Sequence, residues 1–322
     1  MFLLSLPVLH EPVLKYSIII ASYRRPQLLL DTLSNLMPQV GPEGEVIVVE
    51  QAPQIDLQPE LSIYNNLQHI ILNRPGTVAA RNYAISISSG EILIFIDDDV
   101  VPPFGFVIAH LLEYDDISIG GVAGRVVESR DPAIGSFDPR SKHTTDGWRY
   151  TTFNHDNKCD IPHAPTCNLS FRRNLVLQIG GFDTNFKLAW REDSDLCFRI
   201  RALGFRLVYR PTAWLTHLSA NVGGTRGSPA IGYLAQQSKI YYKQYLHYRD
   251  NIYFILKHFK GYNQIRWLLD SYVTYVGLSR WPSRLAFKNI AFFMALIIAV
   301  SFICRQKDIK NRSKKYLFNR QN

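Results

Sequence analysis

Cysteine is scarce in this sequence, with four in 322 residues, at Cys159, Cys167, Cys197 and Cys304. Their irregular spacing excludes a disulfide framework and fits a reducing compartment. A basic N-terminal region is missing as well. The opening MFLLSLPVLHEP is apolar, carries no Lys or Arg, and is interrupted by Pro7 and Pro12. A cleaved secretory signal is therefore not expected. No internal repeat or low-complexity tract stands out, so solenoids and propellers are excluded. The first strand is followed by no Gly-rich loop with a Lys, which argues against nucleotidyl transfer on a phosphate-cradling loop. Long apolar runs are few. The longest, Leu285–Cys304, is broken by Lys288, Asn289 and Ser301. It is at the short end for a membrane span and long for a surface helix.

What is present is a folded-protein composition, with a hydrophobic fraction of 47% and a net charge of +9. The length suits one large domain or two modest ones. The basic excess is partly local, since Arg305–Asn322 holds seven Lys and Arg against Asp308. An apolar helix running into such a tail reads as attachment to an anionic cytoplasmic membrane face, with a buried core helix and a frayed tail as the alternative. The same placement favours lipid over nucleic acid, which only the overall charge suggests.

The pattern along the chain alternates buried strands with helices. Tyr16–Ala21, Glu45–Val49, Gln68–Leu72 and Ile92–Ile96 read as strands of a mostly parallel sheet. Between them lie a helix opened by Pro26 and another from Thr77 to Ser89 closed by Gly90. The expected class is α/β with right-handed crossovers. In such a sheet the strands' carboxyl ends share one edge, where ligands bind. Here those ends carry Ser22, Tyr23 and Arg24, then Glu50, then Asp97, Asp98 and Asp99. Three adjacent carboxylates repel one another unless a cation sits among them. An oxygen-rich cluster suits Mg²⁺ or Mn²⁺ bridging to phosphate oxygens, and a solvated acidic turn is the alternative. Glu50 is a candidate for a base or ribose, and Arg81 for base or phosphates, or else a solvated helix charge.

Glu128–Thr166 reads as a long irregular loop with Phe137, Trp148, Tyr150 and Phe153, aromatics able to stack on a sugar. His155, Cys159, His163 and Cys167 recur every fourth residue, but Pro162 and Pro165 forbid a regular helix and the spacing is not a zinc pattern. Farther on, Trp190-Arg191-Glu192-Asp193-Ser194-Asp195 opens a helix to Leu203, with Leu196, Ile200 and Leu203 inward and Gly204 ending it. Asp193 or Ser194 as N-cap would stabilise it by about 1 kcal/mol. A carboxylate at this helix start is also a candidate general base. Phe205–Arg210 reads as a strand stopped by Pro211, and His217 follows as a candidate ligand compatible with Mn²⁺.

Taken together, the segments SIIIASYRRP, EVIVVEQ, NRPGTVAARNYAISISSGEILIFIDDDV, CNLSFRR, GGFDTNF, REDSDLCFRIRALGFRLVY and WLTH resemble family 2 glycosyltransferases of the GT-A fold, from Tyr16 to His217. The resemblance implies a Rossmann-like sheet and a nucleotide-diphosphate sugar donor. It implies Mg²⁺ or Mn²⁺ held by Asp99, with Asp97 or Asp98 at ribose or metal and His217 as a further ligand. It implies Asp193 as general base supported by Glu192, Glu50 and Arg81 at the nucleobase, and Ser22, Tyr23 and Arg24 in the donor site. Where many relatives have Asp-Asp or Asp-Asn after the second strand, this chain has Glu50-Gln51, which leaves the donor open. The expected reaction is inverting transfer to a hydroxyl on a polysaccharide or lipid-linked saccharide at the inner face of the plasma membrane. The alternatives are an inactive sugar- or nucleotide-binding protein and a sugar nucleotidyltransferase. Tyr248-Arg249-Asp250-Asn251 resembles a Tyr-Arg-Asn element of bacterial polysaccharide transferases, with an Asp inserted. The expected organisation is an extension at 1–15, a catalytic domain at 16–232 divided near 124, a helical region at 233–304 and a basic tail at 305–322.

Overall fold

The computed structural model describes residues 14–130, 153–186, 191–219, 233–275, 288–301 and 303–304, with the backbone alone for 233–244 and 274–275. The first 13 residues, Phe137, Trp148, Tyr150, Trp190 and the basic tail lie outside the described residues.

The sheet grows from runs of β-branched residues too apolar to face water. Strand β1 (Tyr16–Tyr23) leads through helix α1 (Pro26–Leu36) to β2 (Gly44–Gln51), and α2 (Gln58–Leu61) to β3 (Leu67–Leu72). Helix α3 (Thr77–Ile87) then feeds β4 (Ile92–Ile96), which is buried along its whole length. These four strands are mutually parallel, in the spatial order β3-β2-β1-β4. Ile18, Ile20, Val46, Val48 and Ile94 are fully buried, and each such side chain stabilises the fold by roughly 1.5–3 kcal/mol. Register places Ile20 beside Ile96 and Ser22 beside Glu50. The polar strand ends therefore reach one edge together.

After β5 (Val100–Val101) and α4 (Phe106–Leu111) come β6 (Ile119–Glu128), β7 (Cys159–Asp160), β8 (Asn168–Arg172) and α5 (Arg173–Gln178). Helix α6 (Glu192–Ala202) precedes β9 (Arg206–His217). The nine strands among the described residues form one sheet, ordered β3-β2-β1-β4-β8-β6-β9-β5 with β7 on β9. β8 is antiparallel to both neighbours, whereas β6 and β9 are parallel. The division expected at 124 falls inside β6.

Three local expectations are corrected. The last strand does not stop at Pro211. Arg210 pairs with Gly124 and Leu215 with Val126, so Pro211 sits in a bulge where β6 asks no ladder bond of it. The strand consequently carries His217 at its very end. The helix of the Glu-Asp pair is not capped by Asp193 or Ser194. It begins at Glu192 behind Arg191, whose left-handed φ of 71° turns the chain, and no side chain caps it. Leu203 is 37% exposed rather than inward, because Gly204 (φ 95°) swings the chain away directly after it.

Helices α7 (Tyr233–His258), α8 (Gly261–Tyr275) and α9 (residues 288–301) build a second apolar core. It contains Tyr253, Phe254, Trp267, Phe292 and Ala295, with Phe198 of α6 packed against it. α8 leaves Tyr262, Ile265, Leu269 and Val273 exposed, and α9 leaves Ile290, Phe293, Met294 and Ile297 exposed. Among the described residues no helix is long and apolar enough to cross a membrane.

Candidate functional site

The three carboxylates after β4 divide between two tasks. Asp98 turns into the protein, where Ser22 Oγ donates to it at 2.7 Å and Arg25 Nη1 at 2.9 Å. Burial pushes its carboxyl up to about 6, against the opposing pull of Arg25 and Ser22. Asp97 faces the end of β9, and Asp99 faces both ways, with Oδ2 near Arg25 and Oδ1 toward β9. His217 Nε2 lies 3.4 Å from Asp99 Oδ1 and 3.9 Å from Asp97 Oδ2.

One ligand atom from each of Asp97, Asp99 and His217 falls within 4.8 Å of the others, and among the described residues this group has the makings of a cation site. Burial pulls the His217 imidazole down. The hydrogen bond with Asp99 and the charges of Asp97, Asp99 and Glu128 outweigh it, and the ring is pushed up to about 9. Two carboxylates and an imidazole suit Mn²⁺, while Mg²⁺ favours oxygen donors alone. The Asp97 side chain is 35% exposed, which leaves the cluster open on one side to phosphate oxygens.

The second set of carboxylates starts α6. Glu192 Oε1 accepts from Arg81 Nη1 at 3.0 Å, and its buried Oε2 has no hydrogen-bond partner among the described residues. Burial, reinforced by the charge of Asp193, pushes the Glu192 carboxyl up to about 8, with Arg81 opposing. Asp193 Oδ1 accepts from the Ser194 N–H at 2.6 Å. Burial raises its pKa too, while the Ser194 N–H, Arg81 and Arg191 restrain the shift. Two adjacent acids in a dry site thus share an environment that raises the proton affinity of both.

Arg81 joins the two sets. Its Nη2 lies 3.5 Å from Asp97 Oδ1 while Nη1 serves Glu192, and the residue is 6% exposed. It is no solvated helix charge. Phe182 lies under its guanidinium, 5.6 Å from ring centroid to Cζ. That ring is fixed by Asn82, which accepts from the Phe182 N–H at 2.8 Å and donates to its carbonyl at 2.9 Å. Gly181 makes this clamp possible: its φ is 72°, and a Cβ there would meet Asn82 Oδ1 at 2.6 Å. The Cys167 thiol reports the same convergence. Burial raises its pKa, and the charges of Asp97, Glu128 and Asp193 all add to the shift.

The remaining sequence candidates lie on the same edge with different neighbours. Glu50 is buried, with Oε2 3.1 Å from His69 Nε2 and, among the described residues, no hydrogen-bond partner for Oε1. Gln51 Oε1 accepts from the Gly76 N–H at 2.6 Å, which ties β2 to the start of α3. Arg24 lies over the Tyr23 ring, and its Nε is 3.4 Å from Ala52 O.

Two contributors were not among the site residues expected from the sequence. Arg25, next to Arg24, faces Asp98 and Asp99 at 2.9 and 3.2 Å because Arg24 itself takes a φ of 53° and reverses the chain. Asn251 accepts from Arg191 Nε at 2.9 Å and so fastens α7 to the start of α6. The only signal for it was the Tyr-Arg-Asp-Asn stretch, which is entirely buried here, with Arg249 Nη2 donating to Asn185 O at 2.7 Å.

Known proteins place this arrangement. The sequence profile of glycosyl transferase family 2 matches residues 17–180, just over half of the chain. The chain is similar to a pre-mycofactocin glycosyltransferase of Mycobacterium tuberculosis, 26% identical over 183 residues, or 53% of this chain. That match takes in 37% of the mycobacterial protein, so the chain spans little more than a third of its length. It is also similar to a glucosyl-dolichyl phosphate glucuronosyltransferase of Haloferax volcanii, 20% identical, with 63% of this chain and 69% of that protein covered.

Among solved structures it is similar to S. aureus TarS in complex with UDP-GlcNAc, with a TM-score of 0.58 and 16% identity, covering 88% of this chain and 81% of that one. It is similar as well to the mannosyltransferase PcManGT of Pyrobaculum calidifontis in complex with GDP-Man and Mn²⁺, with a TM-score of 0.52, 19% identity and 92% and 80% coverage. The likeness to these structures is one of fold, the GT-A fold expected from the sequence.

Proposed function

From a chain that belongs to glycosyl transferase family 2, we propose an enzyme that moves a sugar from a nucleotide-diphosphate donor to an acceptor hydroxyl with inversion. One observation carries the reading: a single buried guanidinium, Arg81, touches both Asp97 of the cation cluster and Glu192 of the acidic pair. Donor and base chemistry therefore have a common pocket.

In that pocket Asp97, Asp99 and His217 would hold Mn²⁺ or Mg²⁺, which when bound offsets charge on the leaving diphosphate. Arg81 supplies a fixed positive charge beside it. Asp193 takes the proton of the acceptor hydroxyl as its oxygen bonds to the anomeric carbon. The bond from that carbon to the diphosphate breaks on the opposite side, and its electron pair leaves with the nucleotide. Glu50 and the Ser22–Arg24 turn line the nucleoside end. Neighbours solved with GDP-Man and with UDP-GlcNAc support a nucleotide-sugar donor.

The acceptor is a saccharide carried on lipid, and the enzyme works at an anionic, cytoplasmic membrane face. Two features support this: the exposed apolar residues along α8 and α9, and the net +6 of the chain that follows α9 directly. A screen of nucleotide sugars for Mn²⁺-dependent hydrolysis tests the core of the reading. One donor should be hydrolysed by the native protein and by no Asp99→Ala sample. Hydrolysis of none, or equal hydrolysis by the variant, overturns the reading. Co-sedimentation with phosphatidylglycerol vesicles but not phosphatidylcholine vesicles tests the membrane part.

A further inference from the structure

The cation cluster has a supporting carboxylate that no sequence motif marks. Glu128 ends β6 and pairs in register with His217, which ends β9. The two ring nitrogens of His217 face different groups. Nε2 faces Asp99 and Asp97. Nδ1 lies 3.1 and 3.2 Å from the two oxygens of Glu128. Ser219 Oγ donates to Glu128 Oε2 and itself lies 3.2 Å from Nδ1, so the three groups form one cluster.

The backbone is built to hold this arrangement. The β6–β9 bulge brings His217 level with Glu128, and Gly124 permits it, since a Cβ there would lie 1.8 Å from Ala213 O. Ser129 N donates to His217 O at 3.0 Å, and Leu218 N donates to Asp99 O at 2.8 Å. Ser219 then adopts a φ of 51°, a conformation costly for a non-glycine residue.

We infer that Glu128, steadied by Ser219, is the positioning residue of the cation site: it takes the Nδ1 proton of His217 in a hydrogen bond and leaves Nε2 to the ion. The inference rests on the proposed cation site. Glu128 does not itself belong to the ligand cluster, because it meets Nδ1 whereas Asp97 and Asp99 meet Nε2. A carboxylate behind a ligating imidazole fixes tautomer and ring angle and raises ligand basicity. The competing account is a rim ion pair, since Glu128 is 45% exposed, and such a pair contributes little.

Isothermal titration with Mn²⁺ alone separates the two. Loss of such a partner typically costs about 10- to 100-fold in metal affinity. Glu128→Ala should fall in that range, with Glu128→Gln and Ser219→Ala between it and the native protein. Visible absorption of the Co²⁺-loaded variants should change as the imidazole loses its fixed angle, a readout that general destabilisation does not move. If Glu128→Ala is unfolded, the Gln and Ser219→Ala variants carry the test. Native affinity and native Co²⁺ spectra in the Glu128 and Ser219 variants, with Asp99→Ala losing the ion, overturn the inference alone. Native affinity in Asp99→Ala overturns the cation site itself.

Discussion

Arg81 and Glu192 stand 111 positions apart in the chain and meet at 3.0 Å in the interior. The contact joins the helix before β4 to the helix before β9, and so joins the two halves of the sheet. Arg81 also lies 3.5 Å from Asp97. A cation placed between two acidic sets this way should serve both stability and transfer. Arg81→Met is expected to reduce turnover about 10²- to 10³-fold, as when one donor aimed at developing charge is removed. It should also lower stability by about 1–3 kcal/mol, since a buried acid loses its partner. At pH 9, where Glu192 is ionised in the folded protein, the stability loss should shrink in a Glu192→Gln background. Urea melts of the four proteins measure the coupling, and strict additivity would deny it.

Glu192 gives a pH signature. Its pKa rises from the carboxylate range to about 8 on folding, chiefly through burial. Below the unfolded pKa both states are protonated, and the group adds no pH dependence. Between there and about 8 the unfolded state is ionised while the folded state keeps the proton, so stability falls as pH rises. Glu192→Gln mimics the protonated acid and should flatten that slope. Melting temperatures from pH 5 to pH 9 should converge at the acid end and favour the variant at the alkaline end. Parallel curves would show that the Glu-Asp pair takes up no proton on folding.

Asp193 and Asp99 should fail differently. Asp193→Asn keeps the shape of the helix start, including an oxygen to accept the Ser194 N–H, but cannot take a proton. Turnover should drop about 10²- to 10⁴-fold with donor affinity retained. Asp99→Ala removes a cluster ligand, and donor affinity should fall with turnover. Measuring donor binding by calorimetry beside transfer by product release distinguishes the two. Full turnover by Asp193→Asn removes the base assignment.

The parallel half of the sheet was legible because its strands are unbroken apolar runs ended by polar residues. Ile92–Ile96 can be little else, and the acids after it mark the edge. The gathering of Asp97 and Asp99 with His217 was anticipated only through the order of family-like segments, since nothing local says that residue 217 returns to residue 99. Pro211 misled because its cost in a ladder is local, whereas the bulge that cancels it is set by Gly124 on another strand. Arg81 alone looked like a solvated charge; its burial depends on Phe182, a hundred positions later. Arg191 carried no sign of a left-handed backbone, for which sequence favours Gly or Asn.

Arg191 leads to the last prediction. It holds a φ of 71°, its side chain bonds Asn251 at 2.9 Å, and its guanidinium lies 5.2 Å from the Phe254 ring centroid. Besides restraining the Asp193 pKa, the residue does two structural jobs: it turns the chain into α6 and ties that turn to α7. Arg191→Gly separates them. Glycine accepts the positive φ without strain, offsetting part of the lost side-chain contact, so the melting temperature should change little. The tie to Asn251 is gone, however, and the Glu192–Asp193 start is free to shift. Turnover should fall at least tenfold with donor affinity unchanged, since a small misplacement of a base is felt in the rate. Asn251→Leu should reproduce the rate loss while also costing about 1–3 kcal/mol, because it leaves Arg191 Nε without its oxygen in a buried site. Equal turnover in native, Arg191→Gly and Asn251→Leu proteins would mean that α7 only packs against α6 and does not set its first turn.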